Sequence, residues 1–320
     1  MGLILNIILS VAGFALLIKC ADFFVDGAAS IARNCKIPTA VIGLTIVAFG
    51  TSAPELAISF SAHLSGNTDI MFGNVIGSSI SNILVILGIA VLIIPLKIEN
   101  AVIKKEIPIL ILITLGLSVL FLDSTFTISE YNSLTRADGI LLILFFLIFV
   151  YYLITVLSNR QEKSPDEPKP KYKVFVSVVV TIAGLIGIIA GSELVVNNVA
   201  TLAAAAGISQ KIISVTIIAI GTSLPELVTT VAAAKKGENS MAIGGIVGSN
   251  IFNICIVLGL PVIILGEVAT SAFNTFDILF MILAALLLWI FTITDRKLKR
   301  YEGIILVSLY CVYGGYILVQ

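Results

Sequence analysis

The sequence predicts an all-α integral membrane protein: ten transmembrane helices arranged as two inverted five-helix repeats. Three observations predict it. Of 320 residues, 58% are apolar and 12% charged, where a soluble domain carries about 25% charged residues. With a mean hydropathy of +1.13, there is more apolar sequence than a core can absorb, so the bilayer must be its solvent. Ten apolar runs are long enough to span, and the chain repeats itself at an offset of 171 residues.

The spans follow in order. The first, 3–26, has no basic residue ahead of it, and Lys19 sits where a cleavage site needs a small residue. It reads as a retained helix and not a signal peptide. Spans 38–63, 69–94, 104–121 and 137–158 complete a first unit, 1–158. Asn159 to Lys173, with Pro165, Pro168 and Pro170 among charges, reads as a short cytoplasmic linker, 159–173. Spans 173–195, 209–234, 240–265, 274–293 and 301–319 form the second unit, 174–320.

The units are related. Residues 41–88 align with 212–259 without a gap, and 20 of the 48 pairs are identical. The register reaches back through Gly13 and Gly184, Asp22 and Glu193, and Ile37 and Ile208. One register across three spans argues for duplication of a whole structural unit. With the N-terminus outside, only Arg136 and Lys211 of the 19 basic residues fall on the extracytoplasmic side, as the bias of Lys and Arg toward the cytoplasm requires. Both termini are then extracytoplasmic, and the location is the cell membrane, multi-pass. Five spans per unit is odd, so the second unit enters the bilayer upside down, the plan of many alternating-access transporters.

Several functions are disfavoured. Net charge is zero, so there is no basic footprint for nucleic acid. Cys20, Cys35, Cys255 and Cys311 are scattered and suggest neither disulfides nor a thiolate metal site. No phosphate-binding loop is present, so the driving force is an ion gradient. Ser52 and Ser223 have no nearby His or Lys base, and no enzyme is expected. No cofactor and no obligatory protein partner is expected; the surroundings are lipid.

The chemistry lies in two motifs. Gly50-Thr51-Ser52-Ala53-Pro54-Glu55 recurs as Gly221-Thr222-Ser223-Leu224-Pro225-Glu226. Proline lacks an N–H and obstructs the carbonyl four residues back, so each helix is interrupted. Carbonyls from Ala48 to Thr51 then lose their partners, and in lipid each must be buried or face water or an ion. Thr51 and Glu55 share a helix face, and Ala219, Thr222, Ser223 and Glu226 repeat the pattern. An acid in mid-bilayer costs on the order of 3 kcal/mol and marks function by default. The next span carries Gly73, Gly77, Ser78 and Asn82, repeated as Gly244, Gly248, Ser249 and Asn253. The glycines suit close helix packing. The combined donor set is all oxygen, which suits a hard cation such as Ca²⁺, and two carboxylates balance one Ca²⁺ or two Na⁺. Asp22, Asp26, Glu193 and Asn197 lie near helix ends and read as capping or snorkelling groups. Trp289 and the late tyrosines read as interfacial anchors.

At these residues the chain resembles the calcium/cation antiporter superfamily, specifically the short prokaryotic sodium/calcium exchangers. The resemblance rests on the doubled motif, each copy followed by its Gly-Ser…Asn span, and covers essentially the whole chain. It implies an ion site between spans two, three, seven and eight, with Glu55 and Glu226 shared ligands of Ca²⁺. It further implies that Thr51, Ser52, Ser78, Thr222, Ser223 and Ser249, with the carbonyls of Ala48 and Ala219, contribute oxygens mainly to Na⁺, and that spans one and six move to switch access. Two departures are visible. Asn253 stands where some relatives, including potassium-dependent exchangers, carry Asp, which disfavours K⁺ co-transport. Gly245 stands where the pattern often has Asn, as at Asn74.

Stoichiometry follows from arithmetic. Expelling Ca²⁺ against a ~10⁴-fold gradient costs about 5.5 kcal/mol, and each Na⁺ entering down a tenfold gradient returns about 1.4. Two are insufficient. Three return about 4.2, plus about 2.3 from the unbalanced charge at ~100 mV. The expectation is three Na⁺ for one Ca²⁺. A proton/calcium exchanger of the same superfamily is the nearest alternative, and a passive cation channel a more distant one.

Overall fold

A computed structural model describes residues 2–121, 132–158, 169–207, 219–270 and 275–319. Most of the expected linker, and the start of the seventh span with Ile208 and Lys211, lie outside the described residues. Helix α1 (Gly2–Asn34) is followed by a broken second span. That span consists of α2 (Thr39–Ile42), a π-helical turn Gly43–Val47, α3 (Ala48–Thr51) and α4 (Ala53–Leu64). The third is α5 (Thr68–Ser81), a π turn Asn82–Leu87 and α6 (Gly88–Ile93). A π turn Val102–Glu106 leads into α7 (Ile107–Phe121), and α8 (Arg136–Ser158) completes the first half. The second half holds α9 (Val174–Ala205), α10 (Ala219–Thr222) and α11 (Leu224–Lys235). It continues with α12 (Asn239–Phe252), a π turn Asn253–Leu258 and α13 (Gly259–Leu265), and ends with α14 (Thr275–Asp295) and α15 (Arg300–Val319).

Among the described residues, six helices are long and apolar enough to cross a membrane, or seven counting the second span as one. The ten-span expectation is therefore met in part by this criterion. The all-α expectation needs one addition. Strands β1 (Leu96–Lys97) and β4 (Lys297–Leu298) pair antiparallel, as do β2 (Asn132–Leu134) and β3 (Val268–Thr270).

The 171-residue register is visible in backbone geometry. The π turns begin at Asn82 and Asn253. The breaks fall at Ser52 (φ −88°, ψ 5°) and Ser223 (φ −92°, ψ 1°). Positive φ recurs at Gly66 (73°) and Gly237 (77°), and at Lys36 (54°) and Gly207 (84°).

Related helices run antiparallel. Thr68, at the start of α5, donates to the Ala269 carbonyl at 2.7 Å, just beyond the end of α13. Ser240, at the start of α12, donates to Glu99, beyond the end of α6. Along α1 and α9 the partners descend as the numbers rise. A Cβ at Gly13 would lie 2.8 Å from Val195, and one at Gly27 would lie 2.4 Å from Thr181. One at Gly184 would lie 2.7 Å from the Phe24 nitrogen. Only glycine permits this approach, and close packing supplies the attraction that hydrophobicity cannot supply in lipid.

The interior is made by the third and eighth spans. Their most apolar windows are 72% and 83% buried, against 17% for α1. Their apolarity packs a core, whereas that of α1 faces lipid through Leu3, Ile4 and Val11. Phe72, Ile80, Leu84, Ile246, Ile251 and Val257 belong to a main hydrophobic cluster, while Leu17, Phe24, Val25, Ile188 and Val195 form a second around α1 and α9.

Trp289 and Tyr313 each tie one helix to another through a hydrogen bond. The Trp289 indole donates to the Ile103 carbonyl at 3.0 Å, tying α14 to the fourth span. Tyr313 is buried and donates to Asp277 at 3.0 Å. Each polar tip thus has a protein partner.

Candidate functional site

The second span bends by 43° between Thr51 and Ala53. The bend falls at Ser52, and Pro54 occupies the first turn of α4, where its missing N–H has no helical partner to lose. This corrects the expected freeing of carbonyls in part. The Ala48 carbonyl keeps the Ser52 N–H at 3.0 Å, leaving it one lone pair. The carbonyl that Pro225 deprives is that of Gly221, and Ser192 of α9 donates to it at 2.9 Å.

Restarting the helix places Glu55 in the first turn of α4 and Glu226 in the first turn of α11. Each acid therefore sits at a positive helix end, which favours its charge by up to about 2 kcal/mol when buried. Glu55 is 1% exposed and Glu226 2%, and they are close enough for their charges to interact. Neither Glu55 oxygen has a hydrogen-bond partner, nor has Oε2 of Glu226. Two buried carboxylates within reach of each other's charge repel unless a cation sits with them.

The surrounding groups cross from one half to the other. Ser52 donates to Oε1 of Glu226 at 3.4 Å. The hydroxyls of Thr51 and Ser249 lie 3.5 Å apart, and Thr51 also donates to the Val47 carbonyl at 3.0 Å. Asn253 donates to the Ser78 hydroxyl at 3.3 Å, and Ser78 donates to the Asn74 carbonyl. The amide oxygens of Asn82 and Asn253 and the hydroxyl of Ser223 are buried without a partner. Thr222 is half-buried at the end of α10, and Ala219 opens that helix. Thr51, Ser52, Glu55, Ser78, Asn82, Ser223, Glu226, Ser249 and Asn253 are all buried, and the contacts above interleave the two motif-bearing regions.

The arrangement can take a hard cation. It offers carboxylate, amide and hydroxyl oxygens, several lacking donors, and Ca²⁺ takes six to eight oxygens at flexible geometry. Among the described residues no group of three His, Cys, Asp or Glu collects, so the oxygens beyond the two acids are neutral. A cavity of about 320 Å³ lined by Leu44, Ala48, Phe49, Phe146, Phe149 and Phe252 lies beside Ala48, but its walls are apolar.

Other polar groups have structural partners. Asp26 pairs with Lys171 and Lys236 at 2.6 Å, but α1 runs on to Asn34, so it is an ion-paired group within the helix and not the helix-end group expected. Asn74 donates to the Glu55 carbonyl at 2.9 Å and to Ser59 at 3.1 Å, bracing the helix that carries the acid. At the matching Gly245 a Cβ would come within 3.3 Å of the Val47 side chain, so a second Asn there would need Val47 to give way. Sequence reasoning missed Asn250, which meets Asn82, and two buried acids outside the site. Glu106 accepts from Tyr152 at 3.1 Å and Asp277 from Tyr313 at 3.0 Å. Glu106 and Asp277 are 171 residues apart, so the repeat register held the signal for that pair.

The family model of the sodium/calcium exchanger protein matches residues 5–155 and 176–319. CaxA of Alkalimonas amylolytica is 41% identical over 313 residues, covering 94% of this chain and 95% of that protein. Sodium/calcium exchanger MaX1 of Methanosarcina acetivorans is 30% identical over 350 residues, covering 96% and 97%. A solved structure of the sodium-calcium exchanger NCX_Mj, soaked with 10 mM Na⁺ and zero Ca²⁺, superposes with a TM-score of 0.83 at 32% identity, covering 97% and 98%.

Proposed function

This chain belongs to the sodium/calcium exchanger protein family, and we propose that it exchanges three Na⁺ for one Ca²⁺ by alternating access. The observation that carries the reading is that Glu55 and Glu226, from two copies of one motif, are both buried, short of partners and close enough for their charges to interact. Ca²⁺ binds between the two carboxylates. Na⁺ uses Thr51, Ser52, Ser78, Thr222, Ser223 and Ser249 with the carbonyls of Ala48 and Ala219. The free amide oxygens of Asn82 and Asn253 complete the shell. Because Na⁺ and Ca²⁺ draw on the same oxygens, binding one set excludes the other, which is what antiport requires.

In this reading the chain is ten spans in two inverted halves, 1–158 and 174–320, joined by a cytoplasmic linker, with both termini extracytoplasmic. The antiparallel course of α5 against α12 and of α1 against α9 supports it. The α1–α9 pair is the body that moves.

The test is ⁴⁵Ca²⁺ uptake into proteoliposomes under imposed Na⁺, K⁺ and H⁺ gradients in turn. Uptake is expected with Na⁺ alone, accompanied by current. Uptake driven by a pH gradient without Na⁺ would favour the proton exchanger, and conductance without counter-ion dependence the channel.

A further inference from the structure

We infer that Asn250 is a positioning residue that turns the amide oxygen of Asn82 toward the transported cation. The inference rests on the antiporter reading of the site. Asn250 lies on α12, one residue past Ser249, and is 1% exposed. Its Nδ2 faces the Ser79 carbonyl at 3.3 Å. A carbonyl can only accept, so the nitrogen of Asn250 must point there and its oxygen the other way. That oxygen lies 2.9 Å from Nδ2 of Asn82. It too can only accept, so Asn82 must present its nitrogen to Asn250. The remaining atom, Oδ1 of Asn82, is buried and has no partner.

A main-chain carbonyl thus sets the orientation of two amides in series. An amide that flipped would offer two N–H donors to a cation and repel it. The relay costs nothing at the moment of binding, because the orientation is set beforehand. The repeat does not duplicate it: the counterpart of Asn250 is Ser79, whose hydroxyl is without a partner. Asn253 is instead held by Ser78 at 3.3 Å. The two amide ligands are therefore oriented by different means, and Asn250 serves the first alone.

The test is a double-mutant cycle read as the Ca²⁺ dependence of ⁴⁵Ca²⁺ uptake into Na⁺-loaded proteoliposomes. Asn250→Leu, similar in size but without an acceptor, is expected to raise the apparent KM for Ca²⁺ about tenfold. In an Asn82→Ala background the same change is expected to shift it less than about twofold, since no amide remains to be oriented. Asn250→Asp, which still accepts from Asn82, is expected to stay within about threefold of wild type. Should Asn250→Leu fail to fold, the Asp variant decides alone. Losses that multiply in the double mutant, or an Asp variant as impaired as the Leu variant, overturn the inference while wild-type exchange stands. A wild-type protein that takes up no Ca²⁺ under any gradient overturns the antiporter reading and this inference with it.

Discussion

Ser52 donates to the Glu226 carboxylate at 3.4 Å, but Ser223 makes no matching bond to Glu55, whose two oxygens are without partners. A duplicated sequence has folded into a site with unequal acids. One carboxylate accepts a serine hydroxyl, and the other accepts from no side chain.

Glu55→Gln and Glu226→Gln are each expected to lower Na⁺-driven ⁴⁵Ca²⁺ uptake by at least about a hundredfold. Under the proposed function each removes a charge that Ca²⁺ would need for neutrality in a dry site, where one lost pairing costs roughly 3–5 kcal/mol. Near-normal uptake in either variant would place the ion elsewhere.

The asymmetry predicts unequal serine effects. Ser52→Ala removes a bond to a charged group worth about 1.5–3 kcal/mol, and Ca²⁺ affinity should fall about tenfold. Ser223→Ala removes no bond of that kind and should cost about threefold or less in Ca²⁺ affinity. Equal losses in transport titrations would contradict the difference.

Protons should compete with Ca²⁺. In the proposed site a carboxylate oxygen that would hold Ca²⁺ can hold a proton instead, so acidification should raise the KM for Ca²⁺ and leave the maximal rate recoverable at high Ca²⁺. A Ca²⁺ affinity flat from acid to alkaline pH would rule this out.

Asn74→Ala is expected to destabilise the protein by about 1–3 kcal/mol, because the Glu55 carbonyl and the Ser59 hydroxyl lose a buried donor. Thermal unfolding in detergent measures it. An unchanged melting temperature would mean that water replaces the amide.

Lys36 holds φ 54° where its counterpart Gly207 holds 84°. Lys36→Gly should relieve a side-chain clash of about 1–2 kcal/mol, less part of that through added freedom of the unfolded chain. The expected result is a modest rise in melting temperature, and a fall would show that the lysine makes a compensating contact.

Much of this molecule is local, and therefore legible in one dimension. Apolar runs set where helices lie, because a backbone in lipid must satisfy itself within one segment. The Pro54 and Pro225 motifs set where two of them break, and the 171-residue register announced that Glu55 and Glu226 would occupy equivalent positions in the two halves. Pairing between distant segments was not legible. That Asn250 orients Asn82, that Ser192 rescues the Gly221 carbonyl, and that Trp289 turns inward to Ile103 depend on how segments tens to hundreds of residues apart approach one another. Hydropathy treats an inward tryptophan and an anchoring one alike. Only packing decides which donor reaches which orphaned acceptor, and so which of two near-identical motifs has its acid met by the other's serine and which does not.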